Sequence, residues 1–145
     1  MTETTFMRTE IDQIPEVVAG FLQSEANGLE EAAARLRDLD PALLLTIARG
    51  SSDHASTYLK YAIELTVGIP VASVGPSIAS IYGRDLKLDR AAAIAVSQSG
   101  KSPDIVGMSQ SARRSGATTI AITNTPDSPL AEASDFAIVA TFVGA

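Results

Sequence analysis

The chain has 145 residues, of which 46 % are hydrophobic and 19 % charged, with a formal net charge of -6. This length and apolar content suit one packed domain rather than a disordered chain, and the acidic balance excludes a general affinity for nucleic acid or anionic membrane, since both need a basic surface. With no cysteine and one histidine, disulfide frameworks, thiolate metal sites and zinc clusters are excluded too.

Residues 1–8 are polar and lack the apolar core of a signal peptide. No apolar run approaches the roughly 20 residues a membrane helix needs, so a cytoplasmic protein is expected. Residues 10–39 read as one or two helices. Ile11, Ile14, Val17, Val18, Phe21 and Leu22 recur at helical spacing, as do Leu29, Ala32, Ala33 and Leu36, and Asn27-Gly28 is the expected break. Residues 1–40 are therefore expected to form a helical segment packing on a domain of residues 41–145.

From Asp40-Pro41 onward, short apolar runs alternate with helical stretches. Strands are expected at residues 43–48, 70–74, 91–96, 118–123 and 136–140, each suited to burial on both faces. Helices are expected at about residues 53–67, 77–82, 103–115 and 129–133. Such alternation implies right-handed crossovers and a three-layer α/β sandwich with a five-stranded parallel sheet, flavodoxin-like in type. Residues 141–145 follow an apolar segment without a polar tail, which reads as a cut inside a longer chain.

Ligands of such sheets bind beyond the carboxyl ends of the strands, where neighbouring connections leave in opposite directions. Three loops fall there: residues 49–52, 97–102 and 123–128. The second is the richest in donors. Ser97, Gln98, Ser99, Lys101 and Ser102 surround Gly100, and Pro103 starts a helix whose free N–H groups and positive end suit an anion, phosphate above all. The competing reading is a capped helix start with solvated serines, for which Ser102-Pro103 alone would suffice. Gly50, Ser51 and Ser52 repeat the design after the first strand, although glycine and a capping serine end many strand-to-helix loops.

Arg49 suits either substrate charge or a surface ion pair, and Lys101 either phosphate or solvent; the residues leave both choices open. His54 is expected to pack or hydrogen-bond locally rather than catalyse. Asn124 to Ser128 read as turn and cap chemistry, with Ser128-Pro129 opening a short helix. Tyr58, Tyr61 and Tyr82 are expected in the core or an interface. Neither a Gly-x-Gly-x-x-Gly nor a Walker-type loop is present, which disfavours nucleotides.

Several segments together resemble the sugar isomerase (SIS) family: Ala48-Arg-Gly-Ser-Ser-Asp-His-Ala55, Gly68-Ile-Pro-Val71, Ser97-Gln-Ser-Gly-Lys-Ser102, Ile122-Thr-Asn124 and Ser128-Pro-Leu-Ala131. The likeness is to the first of two SIS domains in the isomerase half of glucosamine-fructose-6-phosphate synthase and its relatives. It implies that Ser97, Gln98, Ser99, Gly100 and Ser102 hold the phosphate of a hexose or hexosamine 6-phosphate, and that Gly50, Ser51 and Ser52 bound the sugar pocket. Lys101-Ser102 stands where the synthase usually has Glu-Thr, which is closer to stand-alone amino-sugar phosphate deaminases and isomerases.

The resemblance further implies a second SIS domain, pairing into a homodimer, and neither metal nor organic cofactor. The family's acid/base glutamate, ring-opening histidine and Schiff-base lysine lie beyond residue 145, so no catalytic residue is expected in this chain. The alternative is a sugar-phosphate-sensing SIS module of a regulator. It ranks second because the N-terminal helices are acidic and lack a basic recognition face.

Overall fold

Residues 5–140 are described by the structure, a computed structural model. The elements in chain order are α1 (Phe6–Ser24), α2 (Ala26–Leu39), β1 (Leu43–Ile47), α3 (Ser51–Thr66), β2 (Val71–Ser73), α4 (Ser77–Ser80), β3 (Ala91–Val96), α5 (Pro103–Arg114), β4 (Thr118–Thr123), α6 (Pro129–Ala133) and β5 (Phe136–Val139). The five strands are parallel in the order β2-β1-β3-β4-β5, the flavodoxin-like arrangement expected from the sequence. Residues 141–145, where the sequence suggests a cut, lie outside the described residues.

Side chains alternate across the sheet and build two apolar layers. Leu45, Ile47, Ala91, Ala93, Ala95 and Ala121 face Ile105, Met108 and Ala112 of α5 and Leu130 of α6. The alanines at 91, 93 and 95 are short enough for α5 to lie close to β3, and Met108 fills the space with no exposed surface. On the other face Leu44, Ala92, Ile94, Ile120 and Ile138 meet Ala32, Leu36 and Leu39 of α2 and Leu59 and Ile63 of α3. Helices α3 and α5 thus cover opposite faces, and the connections leaving β1 and β3 diverge.

The N-terminal helices break at Glu25, not at Asn27-Gly28, which falls in the first turn of α2. A tertiary contact explains the difference. Glu25 Oε2 accepts a hydrogen bond from Val139 N–H at 3.3 Å, and a Cβ on Gly28 would stand 3.7 Å from Ile138 Cδ1, so the turn is placed where it meets β5. Helix α2 packs on the sheet, whereas α1 contributes Phe21 at the edge of that layer and has no buried residue.

On each edge strand at least one backbone group is taken by a side chain, which blunts the edge as a template for pairing with another chain. On β5 the partner is Glu25. On β2, Val71 N–H donates to Glu64 Oε1 at 3.0 Å, and Lys60 Nζ donates to Val71 O while pairing with Glu64 at 3.2 Å. The Val71 N–H bond, then the hydrogen bond and charge of Lys60, hold the Glu64 carboxyl below its ordinary value of 4.5. A depressed carboxyl stabilises the fold above its unfolded pKa and loses that contribution as pH falls through the folded one. Glu64→Gln keeps an acceptor for Val71 but not the charge. The stability gap between the two proteins is therefore expected at neutral pH and should shrink in denaturant titrations as pH falls from the ordinary value of 4.5 through the lower folded one. A gap that stays constant over that interval would show that the charge contributes nothing.

A second polar lock joins the far end of the sheet. Asp135 Oδ2 accepts from both the N–H and the hydroxyl of Thr119 at 2.9 Å, while Oδ1 pairs with Arg113 at 2.8 Å. It ties the start of β4, the end of α5 and the start of β5 together.

Candidate functional site

The register sets Ile47 beside Ala95 and Val96 beside Ile122, so the chain leaves β1, β3 and β4 at similar heights. Loops 49–52 and 97–102 consequently flank the point between β1 and β3 where the connections diverge. One residue of each donor set, Ser52 and Gln98, lines a shared depression, which Gly50, Ser51, Ser97, Ser99, Gly100 and Ser102 do not line.

Loop 97–102 is held from behind by the segment following β4. Gln98 O accepts from Asn124 N–H at 2.9 Å and from the Thr123 hydroxyl at 3.1 Å, and Gly100 O accepts from Leu130 N–H at 3.0 Å. Gly100 has φ +62°, and a Cβ there would meet Ser128 Oγ at 2.2 Å. Glycine is thus demanded both by the left-handed backbone and by the neighbouring wall. Ser97 is nearly buried, Gln98 and Ser99 are exposed, and Ser102 is half-buried. Ser99 Oγ accepts from Lys101 N–H at 3.3 Å, which tightens the turn.

The two Ser-Pro helix starts differ in a way the sequence does not show. Ser128 caps α6, its hydroxyl accepting from Ala131 N–H at 3.3 Å. Ser102 occupies the same position before α5 with extended backbone, yet its side chain makes no capping hydrogen bond. The hydroxyl that would close the helix start is left for another acceptor or donor, beside the positive end of a 12-residue helix. In the first loop Gly50 supplies φ +61° at the N-cap of α3 and provides no side-chain cap either.

Ser52, Gln98, Thr123 and Asn124 line a depression of about 130 Å³ walled by Val96 and Ile122. Asn124 therefore belongs to the crevice, although its surroundings in the sequence read as a turn. The missed signal was position: Asn124 follows β4 at the same height as Gln98 follows β3, and Asn124 N–H is bonded to Gln98 O. His54 is exposed on the first turn of α3. Tyr58, Tyr61 and Tyr82 are 79 %, 60 % and 76 % exposed, which removes the core reading of these rings. Among the described residues no group of three or more His, Cys, Asp or Glu is placed to hold a metal ion, and no helix is long and apolar enough to cross a membrane.

The SIS domain family model matches residues 41–142, which includes both serine loops and the whole sheet. The chain belongs to the SIS domain family. Among curated relatives, a glutamine-fructose-6-phosphate aminotransferase (isomerizing) of Shouchella clausii (strain KSM-K16) is 30 % identical over 149 residues, spanning 99 % of this chain and 24 % of the relative. The enzyme of the same name from Streptomyces coelicolor is 34 % identical, over 97 % of this chain and 23 % of its own length. This SIS chain thus spans about a quarter of the curated relatives it matches.

Among solved structures, a protein from Silicibacter pomeroyi DSS-3 provisionally assigned as a phosphosugar isomerase superposes with a TM-score of 0.90 at 56 % identity, covering 92 % of this chain and 41 % of that one. The C-terminal domain of glucosamine-fructose-6-phosphate aminotransferase from Francisella tularensis gives a TM-score of 0.83 at 24 % identity, over 99 % of this chain and 41 % of that one. The second likeness concerns the SIS fold alone.

Proposed function

We propose that this chain is the sugar-phosphate-binding part of an enzyme acting on amino-sugar phosphates, an isomerase, a deaminase or an aminotransferase of the glutamine-fructose-6-phosphate type. The observation that carries the reading is the uncapped Ser102 hydroxyl at the α5 N-terminus, set against the spent hydroxyl of Ser128 in an otherwise matching Ser-Pro start. Ser97, Gln98, Ser99, Gly100 and Ser102 form the phosphate seat. Gly50, Ser51 and Ser52 bound the sugar, and Asn124 closes the crevice on the β4 side.

The net charge of -6 makes local donors the means of holding a dianion, because the protein as a whole repels it. In aldose-ketose chemistry a proton moves between C1 and C2 with a carboxylate as base. We infer that this chain binds and orients the phosphate end, and that proton transfer belongs to residues of a second SIS domain, in an assembly of paired SIS domains. The relatives, an aminotransferase acting on fructose 6-phosphate among them, support the substrate class.

Titration of the protein with glucosamine 6-phosphate, followed by backbone amide NMR, tests the reading. The amides of residues 97–102 and 50–52 should shift with glucosamine 6-phosphate and stay still with glucosamine. Shifts confined to other surfaces, or none, would overturn it.

A further inference from the structure

Arg49 and Asp104 pair between the loop after β1 and the first turn of α5. Arg49 leaves β1 immediately before Gly50, and Asp104 lies in the first turn of α5, two residues after Ser102. Their contact is a single one, Arg49 Nη1 to Asp104 Oδ2 at 3.4 Å, longer than the roughly 2.7–2.9 Å of a strong charge-assisted hydrogen bond. The other oxygen, Asp104 Oδ1, is buried and has no hydrogen-bond partner. A carboxylate is therefore held beside the phosphate seat with half of its acceptor capacity unmet, while Arg49, 60 % exposed, supplies the facing positive charge.

That arrangement sets a conflict. A carboxylate in the first turn of α5 competes with a phosphate for the same helix end and repels it. The guanidinium, permanently charged and carrying five N–H donors, is the group that cancels Asp104.

We propose that Arg49 is a positioning residue for phosphate binding: it neutralises Asp104 in the first turn of α5, so that a dianionic sugar phosphate can occupy the seat at residues 97–102. The inference rests on the sugar-phosphate reading of that seat. It assigns Arg49 a role through Asp104 rather than as a mere surface ion pair, and it makes the seat selective for ligands whose charge the bridge balances.

Calorimetric titration of glucosamine 6-phosphate, with inorganic phosphate as a second probe, into four proteins tests it: the unsubstituted chain, Arg49→Ala, Asp104→Asn, and the double variant. Arg49→Ala should weaken binding roughly 10- to 100-fold, and adding Asp104→Asn to it should recover most of the loss. Arg49→Lys, which keeps the charge, should retain most of the affinity, and thermal melts identify any variant that has lost its fold.

A double variant as weak as Arg49→Ala would overturn the proposal, because Arg49 would then act without Asp104. Unchanged affinity in Arg49→Ala would do so as well. If the unsubstituted chain binds neither probe, the phosphate reading itself fails. If it binds, and loses affinity on substitution of the seat serines but not of Arg49, only the present inference falls.

Discussion

Gly100→Ala is expected to be the most damaging single substitution around the crevice, destabilising the protein by about 2–5 kcal/mol and lowering its melting temperature by on the order of 10 °C. Two costs add. The backbone at φ +62° disfavours any Cβ by about 1–2 kcal/mol, and the new carbon would stand 2.2 Å from Ser128 Oγ, 2.5 Å from Ser128 Cβ and 2.9 Å from Thr123 Oγ1. Neither neighbour can retreat. Ser128 is fully buried and holds the cap of α6, and Thr123 is 2 % exposed with its hydroxyl on Gln98 O. The loop itself must then move outward, breaking the Leu130 N–H to Gly100 O bond and, with it, the proposed phosphate seat. Gly83→Ala is the control. Gly83 has φ +57° but nothing within 4 Å of its Cβ position, so only the backbone cost of about 1–2 kcal/mol should appear in its melt. Equal losses at the two positions would show that the contact with Ser128 is harmless.

The paired substitution Ser99→Ala with Ser102→Ala separates binding from folding. Each hydroxyl facing a charged phosphate is worth about 1.5–3 kcal/mol, so affinity for glucosamine 6-phosphate should fall roughly a hundred- to ten-thousand-fold. Stability should barely change, because Ser102 makes no capping bond and Ser99 accepts only one exposed bond, from Lys101 N–H at 3.3 Å. Ser128→Ala should behave in the opposite way, losing a helix cap worth about 1 kcal/mol while contributing no hydroxyl to the seat. Calorimetric titrations alongside thermal melts on the two variants would reveal the crossing pattern. A paired serine variant that melts early but binds normally would place those hydroxyls in the scaffold and remove them from the site.

Most of the sheet was legible in the sequence because its central strands β1, β3 and β4 are buried on both faces, leaving continuous apolar runs between turn residues, whereas β2 and β5 at the edges are only partly buried. Strands β3 and β4 match the expected residues 91–96 and 118–123, and α6 matches residues 129–133. The break between α1 and α2 was not legible, since it depends on Glu25 meeting Val139, 114 residues away. The exposure of Tyr58, Tyr61 and Tyr82 was equally hidden, because aromatic type suggests burial while the face a helix turns to the sheet is chosen by packing.

The sequence by itself determined the alternation of strands and helices, the two serine-glycine loops and the acidic surface that leaves anion binding to local groups. These are local properties of pattern and composition. Only the tertiary structure decided that β1 and β3 are neighbours with diverging connections, that Asn124 joins Ser52 and Gln98, that Ser128 spends its hydroxyl on a cap while Ser102 does not, and that Arg49 meets Asp104. The physical reason is the same throughout. A hydroxyl or a charge acquires its role from the partner opposite it, and those partners come from segments that only the folded sheet brings together.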